Sequence, residues 1–221
     1  MKTNTSINFA ERGCLFVAAL GILLLTACAE LLPTAKPPPP GYYSIDNTHY
    51  TISTKPVVRT LPSTAPSLVV GTPLAVAGFD SQRIIYVRQA HKLEYFAHNE
   101  WIDTPARMLS PLIVKAIENS GAFRAVLRTP SSARGDLRLD TEVLQLQQEF
   151  NGSPSRVRFV LRANLVDDIT RRVIASREFE AVVAANSDDP YGGVIAANEA
   201  VRIVLEKLAA FCAMAAANSR P

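Results

Sequence analysis

The fold of this chain is decided by one stretch, Arg156-Val157-Arg158-Phe159-Val160-Leu161-Arg162-Ala163-Asn164-Leu165-Val166. The odd positions from Val157 to Leu165 are apolar, whereas Arg156, Arg158 and Arg162 stand at even positions. An alternation with a period of two is typical of a β-strand that has one face in the core and the other in water. The stretch is therefore predicted to be a strand of a half-buried sheet.

Two further long runs of strand-forming residues, 136–150 and 172–183, flank this strand. Asn151-Gly152-Ser153-Pro154 separates the first pair of runs and Asp167-Asp168-Ile169-Thr170 separates the second pair. Both short sequences are typical of tight turns. The three strands are therefore predicted to form an antiparallel meander.

The apolar positions of the first long run change phase within the strand. Leu137 and Leu139 are odd, whereas Leu144 and Leu146 are even. One extra residue in a strand produces such a change, so a β-bulge is predicted next to Leu144.

Shorter β-rich runs precede the meander. Gln89-Ala90-His91 lies between two of them and predicts a hairpin. Gly71-Thr72-Pro73 interrupts two others, and because its proline cannot donate to a ladder, an edge position or a bulge is predicted there. The runs are 42–45, 68–70, 74–76, 83–88, 92–96 and 125–127.

Two amphipathic helices are predicted to begin at Pro105 and Pro190, since a proline at the first helical position sacrifices no hydrogen bond. The first helix is expected to end at Gly121, and its interior Pro111 predicts a kink or a start nearer to that proline. The second helix is expected to reach Ala217, with an alanine-rich end that overhangs the core or frays. Together these elements predict a single α/β domain of the α+β type, with a mostly antiparallel sheet and two helices packed on one face.

Residues 1–27 are predicted to be a signal peptide, because the apolar run from Leu15 to Leu25 is shorter than the about 20 residues that span a bilayer. The run ends in Leu25-Thr26-Ala27-Cys28, which is typical of a lipobox. Cys28 is therefore predicted to carry lipid and to begin the mature chain. The alternative is an ordinary secretory signal, with Cys28 as a structural thiol.

A proline-rich segment follows the lipobox cysteine. The four consecutive prolines at 37–40 favour extended polyproline II, so residues 28–40 are predicted to be the lipidated cysteine and a stalk. This stalk is either a spacer that lets the domain reach a partner or a merely tolerated linker. Residues 41–217 are assigned to the domain and residues 218–221 to a tail.

Charge and cysteine content exclude several classes of protein. The chain has 23 Lys and Arg against 20 Asp and Glu, so it lacks the strongly basic character of nucleic-acid-binding domains. Cys14 leaves with the signal peptide and Cys28 carries lipid, which leaves Cys212 without a disulfide partner. Cys212 is predicted to be a small buried apolar residue.

The sequence offers no set of catalytic or metal-binding residues. His49, His91 and His98 are scattered, and no pair of them has helical i, i+4 spacing. The chain contains neither a G-x-S-x-G elbow nor a G-x-x-x-x-G-K-[ST] loop. We therefore expect a protein that is not an enzyme, with no cofactor other than the covalent lipid on Cys28.

The arginines of the central strand have two interpretations. They could bind phospholipid headgroups, or they could pair with glutamates on the neighbouring strands, with each pair contributing about 0.2–1 kcal/mol. Pairing is the favoured interpretation. The residues concerned are Arg156, Arg158, Arg162, Glu142, Glu178 and Glu180.

Several short motifs between Arg83 and Phe179 follow the lipobox in a fixed order, and the similarity that they indicate extends over most of the mature chain, from Tyr42 to about Phe211. They are Arg83-Ile84-Ile85-Tyr86, Leu93-Glu94-Tyr95-Phe96, Trp101-Ile102-Asp103-Thr104-Pro105, Ser120-Gly121-Ala122-Phe123-Arg124-Ala125-Val126, Asp136-Leu137-Arg138-Leu139 and Arg177-Glu178-Phe179. In this order the chain resembles the ABC-type transport auxiliary lipoproteins similar to paraquat-inducible protein C. It departs from them at Phe211, where family members often have tryptophan.

The resemblance implies a lipid-anchored, periplasmic auxiliary component of an ABC/MCE-type lipid transport system. Its implied partners are an MCE-domain protein, the ABC permease and ATPase subunits, and the membrane through the anchor, while a homo-oligomer stays open. Ala29 is not aspartate, which by lipoprotein sorting rules favours the outer membrane over the inner. The alternative is an outer-membrane lipoprotein that assembles or stabilises another envelope complex.

Trp101, Tyr86 and Tyr95 are the candidate partner-interface residues, because tryptophan and tyrosine are enriched among binding hot spots. The alternative for Trp101 is that its ring closes the core at the start of the first helix. Tyr86 and Tyr95 present the same choice between interface and core.

Overall fold

The computed structural model of the chain describes residues 39–46, 64–131 and 134–218. Within these ranges the chain forms nine strands and two helices. The signal peptide, Cys28 and His49 lie outside the described residues, as do most of the stalk and the last three residues of the tail. The elements are β1 (Gly41–Tyr43), β2 (Ser67–Val70), β3 (Leu74–Ala75), β4 (Arg83–Gln89), β5 (Lys92–Trp101), α1 (Pro105–Ser120), β6 (Ala125–Arg128), β7 (Leu137–Glu149), β8 (Arg156–Asp167), β9 (Val173–Ala184) and α2 (Pro190–Asn218).

The three long strands form the predicted antiparallel meander, with β8 between β7 and β9. Leu161 of β8 lies opposite Val143 of β7 and opposite Phe179 of β9. The next pair of β7 and β8 is Gln145 with Val160, so Leu144 is the extra residue of a bulge. The predicted bulge is confirmed.

Three short strands follow one another along the other side of β7. β2, β3 and β4 all pair with it in parallel, through Leu68–Val70, Leu74–Ala75 and Ile85–Val87 respectively. Val70 of β2 lies opposite Leu139, and Leu74 of β3 lies opposite Glu142. From the first pair to the second, the chain of β2 and β3 therefore contains one residue more than β7 does. The predicted bulge is therefore confirmed, and β3 also has the predicted edge position, since β7 is its one partner among the described strands.

The remaining strands extend the sheet from these segments. β5 pairs with β4 as the predicted antiparallel hairpin, β1 pairs in parallel with β5, and β6 pairs in parallel with β2. The α+β class is confirmed, and the long strands are antiparallel as predicted. The other pairs that involve short strands are parallel. For β2 and β6 the connection includes α1, and a parallel pair needs a crossover of this kind.

Helix α1 begins at the predicted Pro105, so the alternative start nearer to Pro111 is wrong. The helix continues through Pro111 and ends at Gly121, which has a φ of 65° and donates its N–H to the Glu118 carbonyl oxygen. A left-handed residue at this position is a common helix terminator and favours glycine.

Helix α2 is 29 residues long and begins behind Asp189, whose Oδ1 accepts the Gly192 N–H at 2.7 Å. This bond lowers the pKa of the Asp189 carboxyl. The prediction that the alanine-rich end overhangs or frays is wrong, because Cys212 and Ala216 are buried there. Their small side chains let the helix lie close to the sheet. In the part of the chain that the structure describes, no helix is long and apolar enough to cross a membrane.

The core lies between the sheet and the two helices. The apolar face of β8, from Val157 to Leu165, is buried as its alternation predicts. The principal helix residues that pack against the sheet are Leu109, Ile113, Ile117, Val201, Val204, Leu205 and Leu208.

Candidate partner interface

The β4–β5 hairpin carries all three of the predicted interface residues. Tyr86 lies on β4, Tyr95 lies on β5, and Trp101 is the last residue of β5. Arg83 lies opposite Glu100, whereas Ile85 lies opposite Tyr95, so β5 contains three extra residues between these two pairs. The two ends of the hairpin therefore differ in which side chains face the core.

Trp101 lies at the base of the hairpin and is 2% exposed. Its backbone N–H donates to the Gln82 carbonyl oxygen at 2.7 Å, and the residue lines a small cavity with Leu146, Val157 and Ala197. This placement fits the core interpretation, although the residue ends β5 rather than starting α1. A contact between Trp101 and a partner stays a prediction.

Tyr86 is half-buried in an aromatic cluster beyond the core. Its ring lies 4.5 Å from that of Phe96 and 5.7 Å from that of Phe150, as measured between centroids. The Arg88 guanidinium lies 5.2 Å from the Tyr86 ring centroid and binds both carboxylate oxygens of Glu94, at 2.7 and 3.1 Å. Its hydrogen bonds to Glu94 lower the pKa of that carboxyl.

Tyr95 points to the other face of the hairpin, because its neighbour Glu94 lies opposite Tyr86. Half of Tyr95 is exposed, and the Arg83 guanidinium lies 4.2 Å from the centroid of its ring. Leu93, also half exposed, extends this apolar area. We call Arg83, Tyr86, Arg88, Leu93 and Tyr95 together the hairpin surface.

The residue types of the hairpin surface suit it to binding a protein. Tyrosine and arginine are enriched among binding hot spots, and each tyrosine here has an arginine against its ring. A cation over an aromatic face is worth about 0.5–1 kcal/mol at an exposed site. The two stacks restrict the side chains, and such restriction lowers the entropy that a surface loses on binding.

The charged face of the meander is satisfied internally. Arg158 pairs with Glu149 of β7, with Nε at 2.8 Å from Oε1, and with Glu180 of β9. Arg162 pairs with Glu142 at 3.1 Å and with Glu178 at 2.7 Å. The pairing interpretation is confirmed for Arg158 and Arg162, two of the three arginines of the headgroup hypothesis, because each guanidinium group binds two glutamates.

The described residues contain no group of three or more His, Cys, Asp and Glu side chains that could hold a metal ion. His91 lies in the turn of the hairpin with a φ of 67°, and His98 lies on β5. Cys212 is fully buried as predicted, and burial raises the pKa of its thiol to about 12. Such a thiol is a poor nucleophile at neutral pH.

An ion pair at the start of β7 was not anticipated from the sequence. Asp136 Oδ2 accepts the Ser67 backbone N–H and hydroxyl, both at 2.7 Å, and pairs with Arg124 at 2.9 Å. These contacts, with the Ser67 backbone N–H the strongest, lower the pKa of the Asp136 carboxyl to about 2. Arg124 and Asp136 belong to two of the short ordered motifs, and the opposite charges of these two residues were the available signal.

Residues 50–209 match the model of a protein family described as the ABC-type transport auxiliary lipoprotein component. A crystal structure of a protein from Xanthomonas campestris is similar, with 25% sequence identity and a TM-score of 0.65 over 72% of this chain and 90% of that one. The crystal structure of an uncharacterised protein, 12% identical, has a TM-score of 0.60 over 79% of this chain and 99% of that one, which shows the fold alone. No curated protein matches the chain.

Proposed function

The chain belongs to the family of ABC-type transport auxiliary lipoprotein components, and from this premise we propose that it serves an ABC/MCE-type system that moves lipid through the cell envelope. The family is one of transport auxiliaries and not of enzymes. The chain acts in this proposal by protein–protein contact, with an MCE-domain protein and the ABC permease and ATPase subunits as its partners.

The observation that carries this proposal is the pair of tyrosine–arginine stacks on the two faces of one hairpin. An auxiliary subunit without catalytic groups needs a rigid surface with exposed aromatic area. Tyr95 supplies exposed aromatic area on one face of the hairpin, and the half-buried Tyr86 lies on the other face. The buried Trp101 at the end of β5 fixes the hairpin to the core.

The anchor completes the proposal. Lipid on Cys28 would tether the domain through the stalk, and Ala29 favours the periplasmic face of the outer membrane. A Cys28→Ser variant is expected to lose its partition into detergent. If this variant partitioned like the parent protein, the lipid attachment would be wrong.

The experiment that tests the partners is affinity purification of the full-length protein from mild-detergent extracts of its native membranes, followed by mass spectrometry. We expect an MCE-domain protein and ABC subunits to be recovered with it. The double variant Tyr86→Ala, Tyr95→Ala should lower this recovery at least tenfold. Tyr191→Ala is the matched control, since Tyr191 is an exposed tyrosine on α2, outside the hairpin.

Two results would contradict the proposal in different ways. Recovery of outer-membrane proteins without transporter subunits would favour the alternative, a lipoprotein that assembles another envelope complex. Undiminished recovery of transporter subunits with the double variant would keep the transport role but exclude the hairpin surface as the contact.

A further inference from the structure

Among the described strands, β9 forms a long free edge of the sheet. In residues 39–46, 64–131 and 134–218, the only strand that pairs with its twelve residues is β8. The Ala185 N–H donates to the Ser155 carbonyl oxygen at 2.8 Å, and the direction of backbone groups alternates along an antiparallel strand. The backbone N–H and C=O groups of Ser176, Glu178, Glu180 and Val182 therefore point away from β8.

One of these outward groups already has a partner from α2. Lys207 Nζ donates to the Glu180 carbonyl oxygen at 2.9 Å. This contact agrees with the outward direction of the Glu180 backbone. Lysine next to a sheet edge is also a common protection against unwanted strand pairing.

The polar face of the sheet beside this edge carries a small excess of negative charge, while Arg177 and Lys207 lie on the side of α2. Arg158 and Arg162 are shared among four glutamates, of which Glu178 and Glu180 lie on β9 and have half-exposed side chains. Arg156 lies opposite Glu149 on β7, and with it the group of seven side chains has a net charge of −1. The two carboxylates at the edge can therefore accept further cations.

A second copy of this chain fits the edge poorly in the central registers. If β9 paired with β9 of another copy, residues on the same face would lie opposite each other. In the central registers, a glutamate of one copy, Glu178 or Glu180, would then lie opposite one of the same two glutamates of the other copy. Like charges directly opposite each other destabilise a strand pair.

We propose that the β9 edge binds an extended segment of a partner protein by strand addition, and that this segment has lysine or arginine at the alternate positions facing Glu178 and Glu180. The outward N–H and C=O groups of β9 would supply the main-chain hydrogen bonds, and the glutamates would select the basic side chains. Lys207 must leave the Glu180 carbonyl oxygen before a strand binds there, so it weakens binding.

The β9 edge is separate from the hairpin surface. β8 lies between β9 and β7, and the hairpin pairs with the opposite side of β7. Variants at one surface therefore leave the other unchanged, and the failure of one proposal is distinguishable from the failure of the other.

The test uses an eight-residue fluorescent peptide of alternating lysine and valine, with binding to the full-length protein in detergent micelles followed by fluorescence anisotropy. Val182→Pro removes an outward N–H without removing a bond to β8, and it should weaken binding at least tenfold. Val182→Thr is the matched control and should bind like the parent protein. Glu178→Lys with Glu180→Lys should abolish binding, and Lys207→Met should strengthen it several-fold.

A second peptide tests the proposal if circular dichroism shows that the Val182→Pro variant does not fold. This peptide has the same charge but carries N-methyl groups on its lysine amides. These amides face β9 when the lysine side chains face Glu178 and Glu180, so the peptide cannot donate along the edge. It should not bind the parent protein. The proposal would be overturned if the methylated peptide, or a peptide of alternating glutamate and valine, bound as tightly as the lysine–valine peptide. It would also be overturned if Val182→Pro folded and bound the lysine–valine peptide like the parent protein.

Discussion

Gly193, in the first turn of α2, packs directly against the side-chain amide of Gln148 on β7. A Cβ atom on Gly193 would lie 2.2 Å from Gln148 Oε1. Gln148 is 2% exposed, and its Nε2 donates to Ser155 Oγ at 2.8 Å and to the Asp189 carbonyl oxygen at 3.3 Å. The glycine therefore lets the start of α2 lie against the sheet while these two hydrogen bonds hold the amide.

Gly193→Ala is expected to lower the free energy of unfolding by about 1–2 kcal/mol. The new methyl group displaces the Gln148 amide, and an unsatisfied buried polar group costs about 1–3 kcal/mol. The higher helix propensity of alanine offsets up to about 1 kcal/mol of this loss. Urea unfolding measures the difference. Gly152→Ala is the control, because no heavy atom lies within 4 Å of its added Cβ, and equal stability of the two variants would contradict the steric argument.

Asp136→Asn is expected to destabilise the chain at neutral pH and to have no effect in strong acid. The folded-state pKa of about 2 lies below the usual value of 3.8, so the ionised carboxylate stabilises the fold above the unfolded-state pKa. This stabilisation is lost as the pH falls towards 2. Because the side chain is 45% exposed, solvent screening reduces the loss at pH 7 to about 1 kcal/mol.

Urea unfolding at pH 7, 5, 3 and 2 checks this prediction, with the parent chain and Asp136→Asn measured side by side. Their stabilities should converge between pH 5 and pH 2. A difference that stays constant over this range would show that the carboxylate charge contributes nothing to the contact with Ser67 and Arg124.

The elements of the fold that depend on local chemistry could be predicted from the sequence. The alternation in β8 predicts a half-buried strand, the phase change around Leu144 predicts the bulge, and Pro105 and Pro190 predict both helix starts. Each of these signals depends on residues within a few positions of one another. The structure confirms these local predictions because the long strands and helices bury their apolar faces in one core.

The arrangement of β2, β3 and β4 along β7 could not be predicted in the same way. Short strands carry little periodic information, and their pairing joins residues as far apart as Leu68 and Leu137. Nothing within Leu68-Val69-Val70 specifies whether its neighbour is parallel or antiparallel. For β2 and β6, the parallel direction depends on the position of α1 in the connection between them.

The candidate interface was predictable as residue types but not as a surface. Tyr86, Tyr95 and Trp101 were each identified by their chemistry, while their burial depends on the three extra residues that β5 contains. The ion pair of Arg124 and Asp136 joins two separate motifs, so neither motif alone indicates it.

Trp101→Ala is expected to cost about 3–5 kcal/mol of stability, because it empties a buried aromatic site. Tyr95→Ala should cost less than about 1 kcal/mol, since half of that residue is already exposed to water. Urea unfolding of the two variants gives both values. If Trp101→Ala were as stable as the parent chain, the indole would not belong to the core and would become available as an interface residue.

Cys212 is expected to resist thiol reagents until the chain unfolds. A thiol pKa of about 12 leaves on the order of one part in ten thousand as thiolate at pH 8, and burial also excludes the reagent. In a variant with Cys14→Ser and Cys28→Ser, Cys212 is the single remaining cysteine of the three. Its labelling by a chromogenic disulfide should be at least a hundredfold slower in buffer than in concentrated urea.

Adding Gly152→Cys, in an exposed turn, should introduce one rapidly labelled thiol, which shows that the reagent is active. Rapid labelling of Cys212 in buffer would mean that α2 detaches from the sheet near its C-terminal end.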